Sequence, residues 1–231
     1  MPKPTDLRIP FSWEERRPVL LDRLLYVPPH YSQHETWNPI PWSDPQIFGN
    51  DHLVLLEYCS GNGQWIAEKA KKFPHLNWVA VEKKFERARK IWGKLKREGI
   101  SNLYVCCGEA AILSKFYIPG KSISEIFVNF PDPWPKLRHA KHRLIQAPFL
   151  QLMAKCAKQE AKATFVTDDP PYAKQMIKEI EKSSLWKFLL PSPHYSLERG
   201  EYGSSYFLDL WQKKGHLIHF IYATYIPALP L

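Results

Sequence analysis

Leu53-Val54-Leu55-Leu56-Glu57-Tyr58-Cys59-Ser60-Gly61-Asn62-Gly63-Gln64-Trp65-Ile66 is the stretch that decides the fold. An apolar run of strand length enters a turn of small residues and leaves it into a helix, so a ligand can approach the backbone closely. A dinucleotide fingerprint would carry a third glycine where Ile66 stands in the frame Gly61-x-Gly63-x-x-Ile66, which disfavours a nicotinamide enzyme. What remains is a smaller adenosine-bearing ligand without a pyrophosphate. Glu57 supplies it with a carboxylate suited to an ammonium group.

Outward from this turn, apolar runs of strand length alternate with segments of helical period, the pattern of an α/β domain with a parallel sheet. The runs predict strands at Leu53–Glu57, Trp78–Glu82, Leu103–Cys106, Ile126–Asn129, Ala163–Thr167 and Lys187–Leu190, with a last strand at Leu217–Tyr225. One intervening helix places Phe85, Ala88, Ile91, Trp92 and Leu95 on a single stripe, with lysines and arginines facing outward. A second starts at Pro148 and buries Phe149, Leu152, Met153 and Cys156; a third carries Tyr172, Met176, Ile177 and Ile180. A short helix from Ser204 to Lys214 turns Phe207, Leu210 and Trp211 inward and stops at Gly215.

Residues 1–50 hold nine of the chain's 21 prolines and read as an irregular arm, leaving 51–231 as one domain. Arg8, Arg16, Arg17 and Arg23 with Phe11, Trp13, Tyr26, Tyr31, Trp37 and Trp42 can either cover the domain or grip RNA. The formal charge of +9 suits a protein that meets phosphates. Cys59, Cys106, Cys107 and Cys156 show no CxxC spacing, so neither disulfides nor a zinc site is expected. The first residues lack an apolar signal core, and the tail from Leu217 to Leu231 is interrupted by His219, Pro227 and Pro230. A soluble cytoplasmic protein without metal or membrane contact is the expectation.

Two further acids extend the ligand site. Glu82 ends the second predicted strand, where a carboxylate can hold ribose hydroxyls. Glu109 follows the third in Cys107-Gly108-Glu109-Ala110, within reach of an adenine amino group. After the fourth strand comes Asn129-Phe130-Pro131-Asp132-Pro133-Trp134-Pro135-Lys136-Leu137-Arg138-His139-Ala140-Lys141-His142-Arg143. Three prolines stiffen this loop, Trp134 offers a stacking face, and six of the eight residues from 136 to 143 are Lys, Arg or His. A base platform is thus combined with a phosphate grip.

This segment resembles the FPDPWxKxRHxKRR signature of the bacterial tRNA (guanine(46)-N7)-methyltransferases. The resemblance covers roughly residues 53–214, including Glu57-x-x-x-Gly61-x-Gly63, Glu82, Gly108-Glu109-Ala110 and Val166-Thr167-Asp168 followed by Tyr172. It implies a Rossmann-like methyltransferase fold: a seven-stranded, mostly parallel sheet with an antiparallel last strand and helices on both faces. It also implies S-adenosylmethionine as methyl donor and tRNA as substrate, methylated at position 46 of the variable loop by a monomer or homodimer. Glu57, Gly61, Gly63, Glu82, Glu109 and Asp132 become cofactor contacts, with Asp132 also the catalytic residue. Lys136, Arg138, His139, Lys141, His142, Arg143, Asp168, Tyr195, Ser196 and Glu198 become substrate contacts. Cys59 stands where the family has its first loop glycine, and Tyr195 where it has a threonine, leaving Tyr195 and Ser196 as alternatives for the hydroxyl.

N7 of guanine carries an in-plane lone pair and no proton, so its methylation needs alignment rather than a general base. Two other functions fit parts of the sequence. Asp169-Pro170-Pro171-Tyr172 looks like the motif of adenine-N6 enzymes, but it follows the fifth strand rather than the fourth. A noncatalytic RNA-binding protein would explain the charge and the aromatic arm, though not the three strand-end acids.

Overall fold

The structure, a computed structural model, describes residues 17–227. Arg8, Phe11, Trp13 and Arg16 of the arm, and Pro230 of the tail, therefore lie outside the described residues. The chain divides into two compact units, Met1–Pro119 and Gly120–Leu231.

The first unit opens with two short strands that sequence reading took for irregular arm, β1 (Val19–Leu21) and β2 (Leu24–Tyr26). They pair as a hairpin between Pro18 and Pro28, with Arg23 in the left-handed region at φ 59°. The turn connects to β3 (Val54–Tyr58), α1 (Gln64–Lys72), β4 (Asn77–Glu82), α2 (Phe85–Arg97) and β5 (Leu103–Cys107) through the intervening loops. The strand order is β1-β2-β5-β4-β3, all parallel except the β1–β2 hairpin. Every residue of β3, β4 and β5 is buried, as expected of parallel strands covered on both faces, and this is why their sequences are unbroken apolar runs.

Helix α2 lies on this sheet with the predicted stripe. Ala88, Ile91, Trp92 and Leu95 of α2 are buried, while Phe85 is half-buried with its edge against the Tyr26 ring at 5.2 Å. Each fully buried aliphatic chain of the Ile91 type contributes about 1.5–3 kcal/mol. Ile66, standing where a third glycine would have signalled a dinucleotide, is fully buried on α1. Arm residues Tyr26, Ile40, Trp42, Ile47 and Phe48 are also core, so residues 17–50 pack within the unit. After β5, α3 (Ala110–Ile112) runs on into a π-helical turn, Leu113–Tyr117.

The second unit contains β6 (Ile123–Asn129), α4 (Ala147–Cys156), β7 (Ala157–Thr167), α5 (Pro170–Glu181), β8 (Trp186–Phe188), α6 (Tyr206–Lys213) and β9 (His219–Tyr225). The order is β6-β7-β9-β8, with β6 parallel to β7 and β9 antiparallel to both β7 and β8. The antiparallel last strand is as expected. Nine strands among the described residues replace the expected seven, because the hairpin β1–β2 was not foreseen. β7 starts six residues earlier than its apolar stretch, directly at the end of α4. The inward face of α6 also differs: Ser205 caps the helix by accepting from Leu208 N at 3.1 Å, and Leu208 is fully buried. Phe207, Leu210 and Trp211 are only half-buried.

Gly63 caps α1 at φ 69°, and a Cβ there would stand 2.6 Å from Ile91 Cγ1. Gly63→Ala therefore combines a left-handed penalty with overpacking against α2, together about 2–4 kcal/mol. Urea unfolding of the variant should register a loss of that size; an unchanged midpoint would contradict the packing.

Candidate active site

Parallel strands deliver their carboxyl ends to one edge, and in the first unit that edge is acidic. Glu57 lies one residue before the end of β3, Glu82 ends β4, and Glu109 follows β5 by two residues. The register sets Tyr58 beside Val81 and Glu82 beside Cys107. Glu57 and Glu82 are nearly enclosed, at 2% and 5% exposure. Glu82 is held by backbone alone: Oε2 accepts from Gly61 N and Oε1 from Lys84 N, each at 2.8 Å. Burial pushes its carboxyl above the usual range, opposed by those two hydrogen bonds and by the nearby Arg87 and Lys84 charges. A carboxylate has about four lone-pair positions, so one on each oxygen is left for hydroxyl donors.

The small-residue turn is thereby tied to the tip of β4. Ser60 N donates to Val81 O at 3.1 Å, Ser60 Oγ to Glu57 O at 3.0 Å and Gly63 N to Ser60 O at 2.9 Å. Gly61 and Gly63 adopt positive φ, and so does Cys59, at 63°. Cys59 thus takes a glycine conformation with a side chain attached. Glu109 is half-exposed, with its carboxylate 2.6 Å from Lys83 Nζ.

In the second unit the Pro131–Arg143 segment leaves the end of β6 and closes with a 3-10 turn, Leu137–His142. Asp132, Lys136, Arg138, Lys141 and His142 are exposed, and His139 is half-buried. Trp134 is 38% exposed, its ring edge-on to His139 at 5.9 Å and tilted against His142 at 5.3 Å. Arg143 departs from the expected phosphate grip. It is 6% exposed, and its guanidinium donates to Pro133 O at 2.7 Å and to Gln175 Oε1 at 2.6 Å.

Asp168, at the end of β7, lies with one carboxylate oxygen 3.3 Å from His216 Nδ1. Burial raises its pKa, countered by its own backbone N–H and by His216. Tyr195 packs its ring on His219 at 4.8 Å, and Glu198 is exposed. Ser196 Oγ accepts from Glu198 N at 3.0 Å and donates to Glu198 O at 3.3 Å, so that hydroxyl closes a local turn. His216 and His219, neither of them among the expected site residues, join Asp168 and Tyr195 here. Their only sequence signal is a position close to or at the start of the last strand.

Asp169-Pro170-Pro171-Tyr172 turns out to be a helix start. Asp169 caps α5 by accepting from Tyr172 N at 2.7 Å, and the prolines occupy its first turn. Tyr172 is fully buried, its hydroxyl accepting from Ile145 N at 3.0 Å. It offers no face to a base, which removes the observation behind the exocyclic-amine alternative. A cavity of about 590 Å³ in the first unit, lined by Leu20, Leu25, Trp37, Ile40, Ile47 and Tyr117 among others, includes none of the strand-end acids. Among the described residues no group of three or more His, Cys, Asp or Glu is arranged to hold a metal, and no helix is long and apolar enough to cross a membrane.

This fold is a Rossmann-like methyltransferase fold. A solved structure titled "Structure of an Antibiotic Related Methyltransferase" superposes with a TM-score of 0.53 at 18% identity, covering 78% of this chain and 90% of that one. The family described as "Putative methyltransferase" matches residues 51–220. A protein of Chlamydia abortus named tRNA (guanine-N(7)-)-methyltransferase is 42% identical over 94% of this chain and 96% of its own length. One of Bacillus cytotoxicus with the same name is 30% identical over 90% and 95%. The chain belongs to the tRNA (guanine-N(7)-)-methyltransferase family.

Two stability measurements check this geometry. Cys59→Gly should stabilise the protein by about 0.5–1 kcal/mol, the left-handed penalty of a side chain less the added entropy of glycine in the unfolded chain. Because the folded-state pKa of Asp168 is raised from the ordinary 3.8, the folded protein keeps a proton there that the unfolded chain releases. Stability contributed at this site falls as pH rises through that window. Asp168→Asn should accordingly be at least as stable as wild type in urea at pH 7, with the wild type gaining on the variant as pH falls towards 3.8. A clear loss of stability in Asp168→Asn at pH 7 would refute the assignment.

Proposed function

We propose that this protein transfers a methyl group from S-adenosylmethionine to N7 of a guanine in tRNA, at position 46 of the variable loop. The observation that carries the reading is the exposed Trp134 with its basic turn, in a chain aligned over 94% of its length with a tRNA (guanine-N(7)-)-methyltransferase. A tRNA substrate also accounts for the charge of +9 and for a cytoplasmic setting.

The acids of the first unit suit such a donor. Glu57 presents a buried carboxyl group to an ammonium group, and Glu82 retains one acceptor position per oxygen for the two ribose hydroxyls. Each such charge-assisted bond contributes roughly 1.5–3 kcal/mol. Gly61 and Gly63 put no side chain at their own positions in the turn. Glu109 serves the adenine amino group once its exposed pairing with Lys83 is shared, a small cost because surface ion pairs are weak. The donor supplies an electrophilic methyl on a sulfonium.

Residues of the second unit handle the base. Trp134 stacks on an exposed base, for roughly 1–3 kcal/mol. Lys136, Arg138, Lys141 and His142, exposed on one turn, meet phosphates beside the target, with His139 half-buried among them. Asp168 accepts from the N1 and N2 donors of guanine, with Tyr195 and Glu198 as further contacts; the Ser196 hydroxyl is occupied locally and the tyrosine takes the family threonine's place. Asp132 orients the reactants and offsets the positive charge that N7 acquires. No residue removes a proton, because N7 has none to lose; holding nucleophile and methyl in line accounts for roughly 7–11 kcal/mol of the barrier.

The test is incubation with labelled cofactor and unmodified tRNA, followed by chemical cleavage at 7-methylguanosine. Label at an exocyclic amine, or none, overturns the reading. In titration calorimetry Glu82→Gln should weaken cofactor binding at least tenfold, since the amide nitrogen cannot accept from both a backbone N–H and a hydroxyl. Asp132→Asn should lower turnover at saturating cofactor, and wild-type turnover would remove Asp132 from the chemistry.

A further inference from the structure

Arg143 closes the basic run, yet it faces the protein. Its exposure is 6%, and its polar partners are neutral: Nε donates to Pro133 O at 2.7 Å and a terminal nitrogen to Gln175 Oε1 at 2.6 Å. The guanidinium lies over the Tyr172 ring, 4.9 Å from its centroid. Tyr172 is fixed in turn, its backbone N–H donating to the Asp169 cap at 2.7 Å and its hydroxyl accepting from Ile145 N. Gln146 Nε2 donates back to Arg143 O at 2.7 Å. The planar fork is thus anchored to the first turns of α5 on one side and reaches the proline loop on the other.

The carbonyl it reaches matters. Pro133 O belongs to the peptide that leads into Trp134, whose φ of 44° is a left-handed value that a bulky residue holds only when its surroundings impose it. Fixing that carbonyl restrains the peptide plane that enters Trp134, and with it the backbone from which the Trp134 and Asp132 side chains project. We propose that Arg143 is a positioning residue for methyl transfer, clamping the Asp132–Trp134 loop from the protein side rather than meeting tRNA phosphate. The proposal rests on the functional reading above, in which Asp132 and Trp134 serve the reaction.

Arg143→Lys keeps the charge but loses the fork, and Gln175→Leu removes one partner at a half-buried position on α5 outside the reaction machinery. Three readouts are taken on each: steady-state kinetics on unmodified tRNA, tRNA affinity against salt, and hydrogen exchange of the Asp132 and Trp134 amides in the free protein. Expected for Arg143→Lys is a kcat lower by roughly ten- to a hundredfold, the effect of an approximately 1 Å misplacement, with KM for tRNA nearly unchanged. Its salt slope matches wild type, and the two amides exchange faster. Gln175→Leu shows the same pattern more weakly, and it carries the test if the lysine variant does not fold. A salt slope shallower by about one, with weaker tRNA binding and unchanged exchange, makes Arg143 a phosphate contact and overturns the proposal. So does wild-type kcat with unchanged exchange in both variants. Should wild type itself fail to methylate guanine N7, the functional reading falls, while the exchange comparison still reports whether the clamp orders the loop.

Discussion

A carboxylate cannot be enclosed without an answer to its charge, and at Glu82 the answer comes from main-chain N–H groups rather than from a basic side chain. Gly61 N lies in the turn after β3 and Lys84 N just beyond β4, so one side chain fixes two loops that are far apart in sequence. The turn must bring a bare N–H to the carboxylate, which requires positive φ at Cys59, Gly61 and Gly63 and leaves little room above Ile91. The hydrogen bonds that hold the acid come from backbone, while Arg87 and Lys84 act on it only through their charge. A carboxylate held in this way is preorganised for hydroxyl donors instead of having to release a partner first.

Arg143 is the cationic counterpart in the second unit. Its charge is also enclosed and answered without an opposite formal charge, by a carbonyl, an amide oxygen and an aromatic face. Such arrangements are sensitive to geometry, because no long-range Coulomb attraction compensates for a bond made poorly. Both cases convert the cost of burying a charge into the shape of a neighbouring loop, and in both the loop carries residues proposed to touch a reactant.

Much of the fold was legible in the sequence because β3, β4 and β5 are buried on both faces and therefore read as uninterrupted apolar runs. The α2 stripe was legible for the complementary reason, a helix with one face in the core. The hairpin β1–β2 was not, since three-residue strands set among prolines leave no period to detect. The phase of α6 was missed because the enclosed position falls to Leu208, an aliphatic residue beside the larger aromatics on which the stripe was drawn. Among the candidate site residues, the position of the acids at strand ends was legible, and so was that of Trp134 as an aromatic between prolines. The enclosure of Arg143 was not legible, since a run of positive residues says nothing about which member is buried; the apolar Leu144-Ile145 beside it was the available hint. Tyr172 was readable in two ways, as part of a base-binding motif and as the inward member of a stripe with Met176 and Ile180, and burial decides for the stripe.

Two of the five left-handed non-glycine residues described in the second unit lie in the loop that carries Asp132. Phe130 and Trp134 have φ of 47° and 44°, although neither is glycine, and they bracket Asp132 two residues away on either side. Such backbone costs roughly 1–2 kcal/mol per residue, so an unconstrained chain would relax out of it. Phe130 is kept there by its N–H donating to Val166 O at 2.9 Å, and Trp134 is preceded by the carbonyl that Arg143 grips. Pro131, Pro133 and Pro135 remove alternative φ values between and beyond them. Constraint on both flanks restricts the backbone from which Asp132 and Trp134 project. For a methylation that requires no proton transfer, orientation is a principal thing a protein can contribute, so left-handed backbone on both sides of one exposed aspartate agrees with the alignment proposed for it.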